Sequence, residues 1–426
     1  MKQSFIRLTM PLWIVLFAFS LWGAVQTQAQ YLVKTGESET FENKTVFIPY
    51  AFSTETLDFG IGGGAIYGPK RQPQSTLFAT AYYTANESYL TMLGAYDLRA
   101  PFTQRLFLRP YFIFAHFTEM RAYVDGNPQF ANERAGSNDS SEDNYITRDT
   151  HDTTLSIEMR YILPFGAAKT DAMQTYYTTD GLPSEPLDFS INPLRTARSQ
   201  LLFTPYYKEL STETTDGGKT LALQGGLEID NRDYIPSPYK GYYFRTMLSY
   251  DPDWISDARR WTSIEGEFNI YLPLFKNAGW SRQQTLALSS WYAYSPSYDV
   301  ESGDNAPPYF MSPTLGGLWR LRAYPSYRFH DKSAVYYGAE YRIIPSWQPL
   351  GKIRILRPLK IRWWQVAAIF EAGRVHSSWD LNELHQNMKL DAGIGLRAMF
   401  NTTIGRLDIL TGEEGVSIVA MFGQTF

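Results

Sequence analysis

Apolar and polar residues alternate with a period of two along most of the chain beyond residue 45. The segments TTLSIEMRYIL (153–163), KTLALQGGLEID (219–230) and TSIEGEFNIYL (262–272) show the pattern clearly. In the second of these, Leu221, Leu223, Leu227 and Ile229 alternate with Thr220, Gln224, Glu228 and Asp230. Because successive side chains of a strand point to opposite faces, this period predicts β-strands that each have one apolar face.

About sixteen such segments follow one another, an even number of the kind expected of a bacterial β-barrel. We predict strands near 46–53, 55–68, 77–86, 88–98, 105–120, 152–164, 198–209, 219–230, 241–251, 261–273, 283–297, 333–344, 363–375, 388–399, 403–411 and 415–426. An even count places both termini at the periplasmic end of the barrel. In the last strand, one face is predicted to carry Val416, Ile418, Ala420, Phe422 and Phe426.

The polar faces of these strands carry many charged residues, among them Glu158, Arg160, Glu228, Arg245 and Glu265. A β-sandwich would expose these charges to bulk water, whereas a transmembrane barrel would enclose them in a wet lumen and turn the apolar face to lipid. Mean hydropathy is −0.30 and aromatic residues make up 16%, which suits a barrel because only its outward residues must be apolar. We therefore predict an all-β fold, a transmembrane antiparallel β-barrel.

The first 29 residues have the organisation of a secretory signal peptide. Lys2 and Arg7 precede an apolar stretch from Pro11 to Val25, and Thr27-Gln28-Ala29 resembles a cleavage site. Residues 30–45 then form a short periplasmic segment, too short for a folded domain, and 46–426 form the barrel. The chain has no cysteine, which excludes disulfides, thiol catalysis and a lipoprotein anchor. This organisation predicts the bacterial outer membrane as the location.

Three connections between the predicted strands are long. Residues 121–151 are polar and acidic, and the strand count places them outside the cell as a solvated loop. Residues 298–332 also fall on the outer side. Residues 165–197 fall on the periplasmic side, where connections are usually short turns.

The outer connection 298–332 contains the apolar and aromatic stretch LGGLWRLRAYPSYRF (315–329). A loop facing water gains nothing from such residues, so we expect this long loop to fold back into the lumen. Arg322 would then need a carboxylate partner, because a lone buried cation is costly. Side-chain parity places Glu340 and Glu371 on the lumen faces of the next two strands. The three residues are predicted to form a latch that holds the loop.

Several motifs of this chain resemble the bacterial surface antigen domain of the BamA/TamA superfamily, in the order found in that family. The stretch LRAY (321–324) resembles the family's VRGF-type loop motif and keeps its arginine and aromatic residue as Arg322 and Tyr324. Ala323 stands where the family has glycine, which predicts a different backbone at the loop tip. Two strand motifs supply Glu340, Glu371 and Gly373. A turn motif in GLEIDNRDYIPSPYKGYYF supplies Asp230, Arg232, Asp233, Pro238 and Gly241. The closing strand carries the C-terminal barrel signal, Phe422 and Phe426.

The resemblance implies a role in outer-membrane assembly or in transport of protein or lipid. It also implies that the barrel contacts outer-membrane lipid and lipopolysaccharide. A separately encoded periplasmic protein, or a protein or lipid cargo, is a further possible partner. No cofactor is expected, and a formal charge of −4 does not favour nucleic acid as a partner.

Two alternatives to that role remain. A charged lumen containing a loop also suits a passive or gated pore. An outer-membrane enzyme is not expected: His116 is the one histidine within a predicted strand, no serine accompanies it as a phospholipase would need, and paired carboxylates alone do not make a glycosidase. The five histidines lack the spacing of a helical zinc pair, so no metal site is predicted.

Overall fold

The protein is described here from a computed structural model. It describes residues 31–34, 43–54, 57–124, 126–184, 188–212, 218–255, 260–400 and 403–426. The predicted signal peptide lies outside these residues, as does most of the predicted 30–45 segment. Within the described residues, no helix combines the length and apolar character needed to cross a membrane.

Sixteen antiparallel strands of the described residues curve into a barrel, which confirms the predicted fold class and strand number. They are β1 Lys44–Thr54, β2 Asp58–Gly68, β3 Thr76–Thr84, β4 Tyr89–Tyr96 with its continuation Leu98–Arg99, β5 Leu106–Ala122, β6 Ile146–Ile162, β7 Arg198–Thr212, β8 Lys219–Asp230, β9 Gly241–Asp251, β10 Trp261–Lys276, β11 Ser281–Tyr294, β12 Ser333–Pro345, β13 Ile361–His376, β14 Lys389–Phe400, β15 Thr403–Gly412 and β16 Gly415–Phe422. Each strand pairs with the next in sequence, so hydrogen-bonded ladders join all fifteen consecutive pairs.

The two faces of the strands differ as the alternation predicts. On β13, Phe370 points outward and is 49% exposed, whereas its neighbour Glu371 points into the lumen and is completely buried. On β16, Val416 and Ile418 are likewise exposed on the outer face. The exposed apolar band is the surface that meets lipid in a membrane barrel.

The last strand is shorter than predicted. β16 ends at Phe422, and Gly423, with a φ of 84°, turns the chain away from the barrel wall. A glycine adopts this left-handed conformation without steric cost. Phe426 therefore does not share the outer face with Val416, contrary to the sequence prediction; its side chain is buried against Tyr271 and Ala287 of the lumen wall.

A small three-stranded sheet, here called the periplasmic sheet, closes the end of the barrel at which β1 begins. Tyr31–Lys34 pairs in parallel with Gln174–Thr179, which pairs antiparallel with Leu182–Pro183. The long connection between β6 and β7 supplies two of its strands, so its unusual length is explained by a folded structure. We call this the periplasmic end and the opposite end the outer end, following the strand count.

The periplasmic sheet packs against the barrel interior through aromatic and aliphatic side chains. Tyr176 is buried between Tyr31 and Tyr234, with ring centroids 5.6 and 5.1 Å away. Trp363 of β13 donates from Nε1 to the carbonyl of Gly181 at 3.1 Å. The same cluster contains Ile235, Ile344, Trp363, Met399 and Ile404. Apolar contacts dominate this end of the lumen.

Candidate functional site: an ionic network in the lumen

The connection between β11 and β12, residues 295–332, enters the lumen from the outer end as predicted, and we call it the inserted loop. Thr314–Leu315 pairs with Phe329–His330 to form its narrow stem. Gly316 and Gly317, with φ near 100°, and Leu321, with φ of 52°, bend the tip between these strands. Ala323 stands where the related family has glycine. It does not have a positive φ, so its side chain causes no backbone strain.

Arg322 at the tip of the inserted loop is completely buried among three carboxylates. Its Nε donates to Glu371 at 3.1 Å, its Nη2 to Glu340 at 3.2 Å, and its Nη1 to Asp408 at 2.5 Å. The Arg322 backbone N–H also donates to Glu371, at 2.8 Å. The structure therefore brings the three predicted latch residues together and adds Asp408 of β15.

Four neighbouring strands each contribute one buried acid to this network. They are Glu340 of β12, Glu371 of β13, Asp391 of β14 and Asp408 of β15. Asp391 accepts from the backbone N–H of Ala323 at 2.9 Å, so the acids bind the loop's backbone as well as its arginine. Burying so many carboxylates is tolerable only because cations and hydrogen-bond donors surround them.

Three further arginines on the barrel wall balance the acids. Arg342 donates to Glu340 at 2.7 Å, and Arg397 lies 2.8 Å from the same carboxylate. Arg406 lies 3.7 Å from Asp408 and donates to the carbonyl of Leu318 in the inserted loop. With Arg322, these make four arginines against four acids.

The residues after β16 complete the network, and we call 423–426 the C-terminal tail. The Thr425 hydroxyl donates to Glu340 at 2.8 Å and accepts from Arg322 at 2.9 Å and from Arg406. Gln424 accepts from Arg397 at 2.6 Å, and the Phe426 carbonyl accepts from Arg342 at 3.0 Å. The tail thus joins the inserted loop to the barrel wall.

Two other predicted latch residues position the loop without joining the ion pairs. Tyr324 donates its hydroxyl to the carbonyl of Leu390 at 3.0 Å and stacks edge-on against Phe329. Gly373 leaves room for the loop, since a Cβ there would lie 2.9 Å from a methyl carbon of Leu315 and 3.2 Å from one of Leu321.

The predicted turn motif lies at the periplasmic end, between β8 and β9. Arg232 forms a two-pronged ion pair with Asp230, at 2.8 and 2.6 Å. Asp233 accepts three backbone N–H groups between 2.8 and 3.1 Å, although burial raises the pKa of its carboxyl overall. Gly241 has a φ of 118°, and a Cβ there would collide with the Asn231 carbonyl. Pro238 is buried in the same turn. The five residues thus stabilise a turn and make no ion pair with the acids that surround Arg322.

The outer loop 123–145 packs in part onto the inserted loop, so it is only partly the solvated loop that its polar sequence predicts. Arg328 of the inserted loop donates to the Ser140 hydroxyl at 2.9 Å and to its carbonyl at 2.7 Å. Arg134 pairs with Asp331; burial alone would lower the Arg134 pKa, but the carboxylate more than offsets this and raises it. Specific polar contacts between the two loops therefore cover the outer mouth.

A small cavity of about 120 Å³ remains in the lumen beside the network. It is lined by Arg232, Tyr243, Arg245, Glu265, Glu267, Asn269, Trp291, Arg320, Thr425 and Phe426. This space is polar and large enough for water molecules.

No known protein family and no curated protein matches this sequence, but solved structures do match the fold. CdiB from Escherichia coli is 9% identical with a TM-score of 0.54; the alignment covers 88% of this chain and 61% of CdiB. BamA from Haemophilus ducreyi lacking POTRA domains 1–3 is 12% identical over 89% of this chain and 69% of that one, with a TM-score of 0.49. CdiB from Acinetobacter baumannii is 11% identical over 88% and 58%, with a TM-score of 0.48.

The chain is therefore an outer-membrane-type β-barrel with the fold of the E. coli CdiB barrel, as its resemblance to the BamA/TamA superfamily predicts. At this level of identity the similarity concerns the fold. The chain spans about three fifths of each CdiB chain.

Sequence reasoning missed the contribution of Asp391, Asp408, Arg397, Arg406 and the C-terminal tail. Strand parity did place the charged residues of β14 and β15 on the lumen face. Strand parity could not show where these charged residues lie along the barrel axis, and this position decides whether they reach Arg322. The tail was missed because its apolar end residue continues the alternating pattern of β16, and the turn at Gly423 interrupts it.

Proposed function

We propose that this chain is a bacterial outer-membrane barrel that moves protein or lipid into or across that membrane by opening at the seam between β1 and β16. The observation that carries the proposal is the closure of the lumen at both ends by the chain itself. The inserted loop occupies the lumen from the outer end, and the periplasmic sheet packs against the lumen wall at the other end. Both elements obstruct the continuous water path that a passive pore needs.

Opening the barrel between β1 and β16 would break fewer backbone hydrogen bonds than opening it between any other two neighbouring strands. Among the described residues, no hydrogen-bonded ladder joins Lys44–Thr54 to Gly415–Phe422, in contrast to the fifteen consecutive pairs. Pro49 of β1 has no N–H to donate, and Gly423 ends β16 early. The acids of the ionic network lie on β12 to β15, so separation of β1 from β16 would leave those ion pairs intact.

The outer wall beside the seam is made of small side chains. A shallow groove of about 450 Å³ runs across the outer faces of β1 to β4, lined almost entirely by apolar atoms. Its floor includes Gly63, Ala79 and Ala81, and Phe47 and Leu93 stand among its lining residues. Such a groove fits the acyl chains of outer-membrane lipid, and it supports lipid access next to the seam.

The periplasmic sheet is the surface that a periplasmic partner or an arriving cargo would meet first. Tyr177 on this sheet is 53% exposed, and Ile191 and Leu194 in the same connection are more exposed still. Exposed apolar side chains of this kind are typical of contact sites. The proposed partner is therefore a separately encoded periplasmic protein or the cargo itself.

A seam opening is tested by cross-linking β1 to β16. The chain has no cysteine, so pairs introduced at 45–51 and 415–421 would be the only thiols. In cells lacking the chromosomal copy, we expect oxidised pairs to leave the outer membrane as permeable to large antibiotics as in the deletion strain, and reduction to restore the barrier. A matched pair in β8 and β9, Leu227→Cys with Thr246→Cys, which lie opposite each other, should have no effect. Normal barrier function with the seam locked would refute the mechanism.

A gated pore is the second candidate, favoured by the charged cavity beside the inserted loop. Planar-bilayer conductance with and without residues 303–330 separates the two. A pore gated by the loop should open under voltage in the intact chain, whereas the proposed transporter should stay closed until the loop is removed.

A further inference from the structure

Three side chains that can bind metal meet on the outward face of β5 and β6, near the outer end of the barrel. His116 of β5 lies directly opposite His151 of β6 in the ladder. Asp149 lies two residues before His151 and so shares its face. The long outer loop separates His116 from the other two in sequence, which is why spacing along the chain does not predict the group.

The donor atoms of the three residues are close enough to share one ion. His116 Nε2 lies 2.6 Å from an Asp149 carboxylate oxygen, and one donor atom from each residue lies within 4.8 Å of the others. Ligand atoms around a tetrahedral zinc ion, at about 2.0–2.1 Å from the metal, are about 3.4 Å apart. Binding of one ion would therefore require side-chain rotations that bring the three donors to that spacing.

The cluster stands where the apolar outer band ends. Phe114, two residues before His116, and Leu155, four residues after His151, are exposed on the same outward face. The Tyr89 ring packs near both Phe114 and His116, at 5.9 and 5.5 Å between centroids. Aromatic residues of this kind mark the membrane–water boundary, and at this level His151 is exposed while His116 and Asp149 are partly exposed.

An ion pair between His116 and Asp149 accounts for the contact of these two residues, but it does not account for the position of His151 beside them. The His151 ring stacks on His116, with centroids 4.4 Å apart and planes 16° from parallel. Two imidazoles and a carboxylate form a donor set suited to zinc and related ions, whereas calcium and magnesium prefer oxygen ligands. Among the described residues, no other group brings three such ligands together.

We propose that His116, Asp149 and His151 bind one divalent transition-metal ion of the zinc class. Three protein ligands leave a coordination position open to water or to an external ligand. The ion would link β5 to β6 just below the outer loop 123–145, and this loop packs on the inserted loop. The site is independent of the proposed transport function.

Cobalt(II) titration of the tag-free barrel, refolded in detergent, tests the proposal. Cobalt replaces zinc and gives visible absorption when histidine nitrogen binds it in a tetrahedral site; the absence of cysteine excludes thiolate bands. We expect one equivalent to bind and zinc to displace it. Loss of an outer-shell partner costs up to about 100-fold in affinity, so His116→Ala with His151→Ala should weaken binding at least that much. Asp149→Asn, which keeps both imidazoles, should weaken it less.

His376→Ala is the matched control, since it removes an outer-end histidine that binds its own loop at Ser378. It should bind cobalt as the wild type does. If the variants fail to fold, the wild-type chain still tests the proposal through modification of histidines by diethylpyrocarbonate. Zinc should protect His116 and His151 from modification, but not His376. Equal cobalt binding by the wild type and the double variant, or no protection by zinc, would overturn the proposal.

Discussion

The two ends of the lumen are closed by different forces. The inserted loop, which enters from the outer end, is held through its Arg322 by buried acids, three wall arginines and the C-terminal tail, deep in the lumen. At the periplasmic end, the periplasmic sheet is held by aromatic and aliphatic contacts around Tyr176 and Trp363. Removing the loop from its network would leave several charges buried without partners, which is far more costly than exposing apolar surface.

This difference predicts which end moves. Apolar contacts separate and form again in many arrangements, whereas an ionic network of fixed geometry specifies one. We therefore expect the inserted loop to stay fixed to the wall formed by β12 to β16, and the periplasmic sheet to separate from the barrel more readily.

Arg322→Ala should have the largest effect. It leaves three carboxylates without their shared cation, and breaking a buried ion pair costs about 3–5 kcal/mol. The folded barrel should convert to its unfolded, slower-migrating form at a clearly lower temperature on unheated-versus-heated gels. Glu371→Gln should act in the same direction, and the double variant should lose much less than the sum.

Arg320→Ala is the control for Arg322. Arg320 lies on the same loop, pairs with Glu267 at 3.1 Å and packs over the Trp291 ring, with both charged side chains partly exposed, so its loss should cost less than that of the fully buried Arg322. If Arg320→Ala lowers the transition as far as Arg322→Ala, the network does not hold the loop.

Tyr176→Ala should affect the periplasmic end alone. The change removes a buried aromatic ring, which costs about 3–5 kcal/mol, and it should free the sheet from the barrel. Hydrogen exchange should rise in 31–34 and 174–179 but stay slow in 314–330. Exchange that rises equally at both ends would show that the two closures are coupled.

Thr425→Val should have a smaller effect on the outer end. It keeps the shape of the side chain but removes a hydroxyl that serves Glu340, Arg322 and Arg406, and an unsatisfied buried group costs about 1–3 kcal/mol. Thr425→Ser should restore the wild-type transition. An unchanged transition temperature in the valine variant would mean that the Thr425 hydroxyl does not stabilise the network.

Acid should loosen the inserted loop slightly through His330. Burial lowers the pKa of this imidazole, which lies among Tyr123, Arg134, Asp331 and Arg328. Because the released loop would bind a proton more readily than the buried one, release is favoured as pH falls below about 6.5. Exchange in 314–330 should rise between pH 7.5 and 5, and His330→Asn should flatten that dependence.

The strands of the barrel wall could be predicted from the sequence more completely than the elements that lie inside the barrel. Strand parity follows from local alternation, so the faces of Glu340, Glu371 and Phe370 are all as predicted. The loop's entry into the lumen followed from its apolar composition. The periplasmic sheet could not be predicted, because its parallel pairing joins residues 31–34 to 174–177 across the whole first part of the barrel, and no local pattern records such a contact. The packing of loop 123–145 was missed for the same reason.

Planar-bilayer recording of a tethered loop tests the central claim, that the Arg322 network holds the inserted loop as a plug. Ala323→Cys and Gly412→Cys would place two thiols together, since a Cβ on Gly412 would lie 3.1 Å from that of Ala323, near the range of disulfides. We predict a quiet wild type, frequent openings in Arg322→Ala, and silence when the tether is oxidised in that background, with openings returning on reduction. Openings that persist through the oxidised tether, or an Arg322→Ala barrel as quiet as the wild type, would contradict the account.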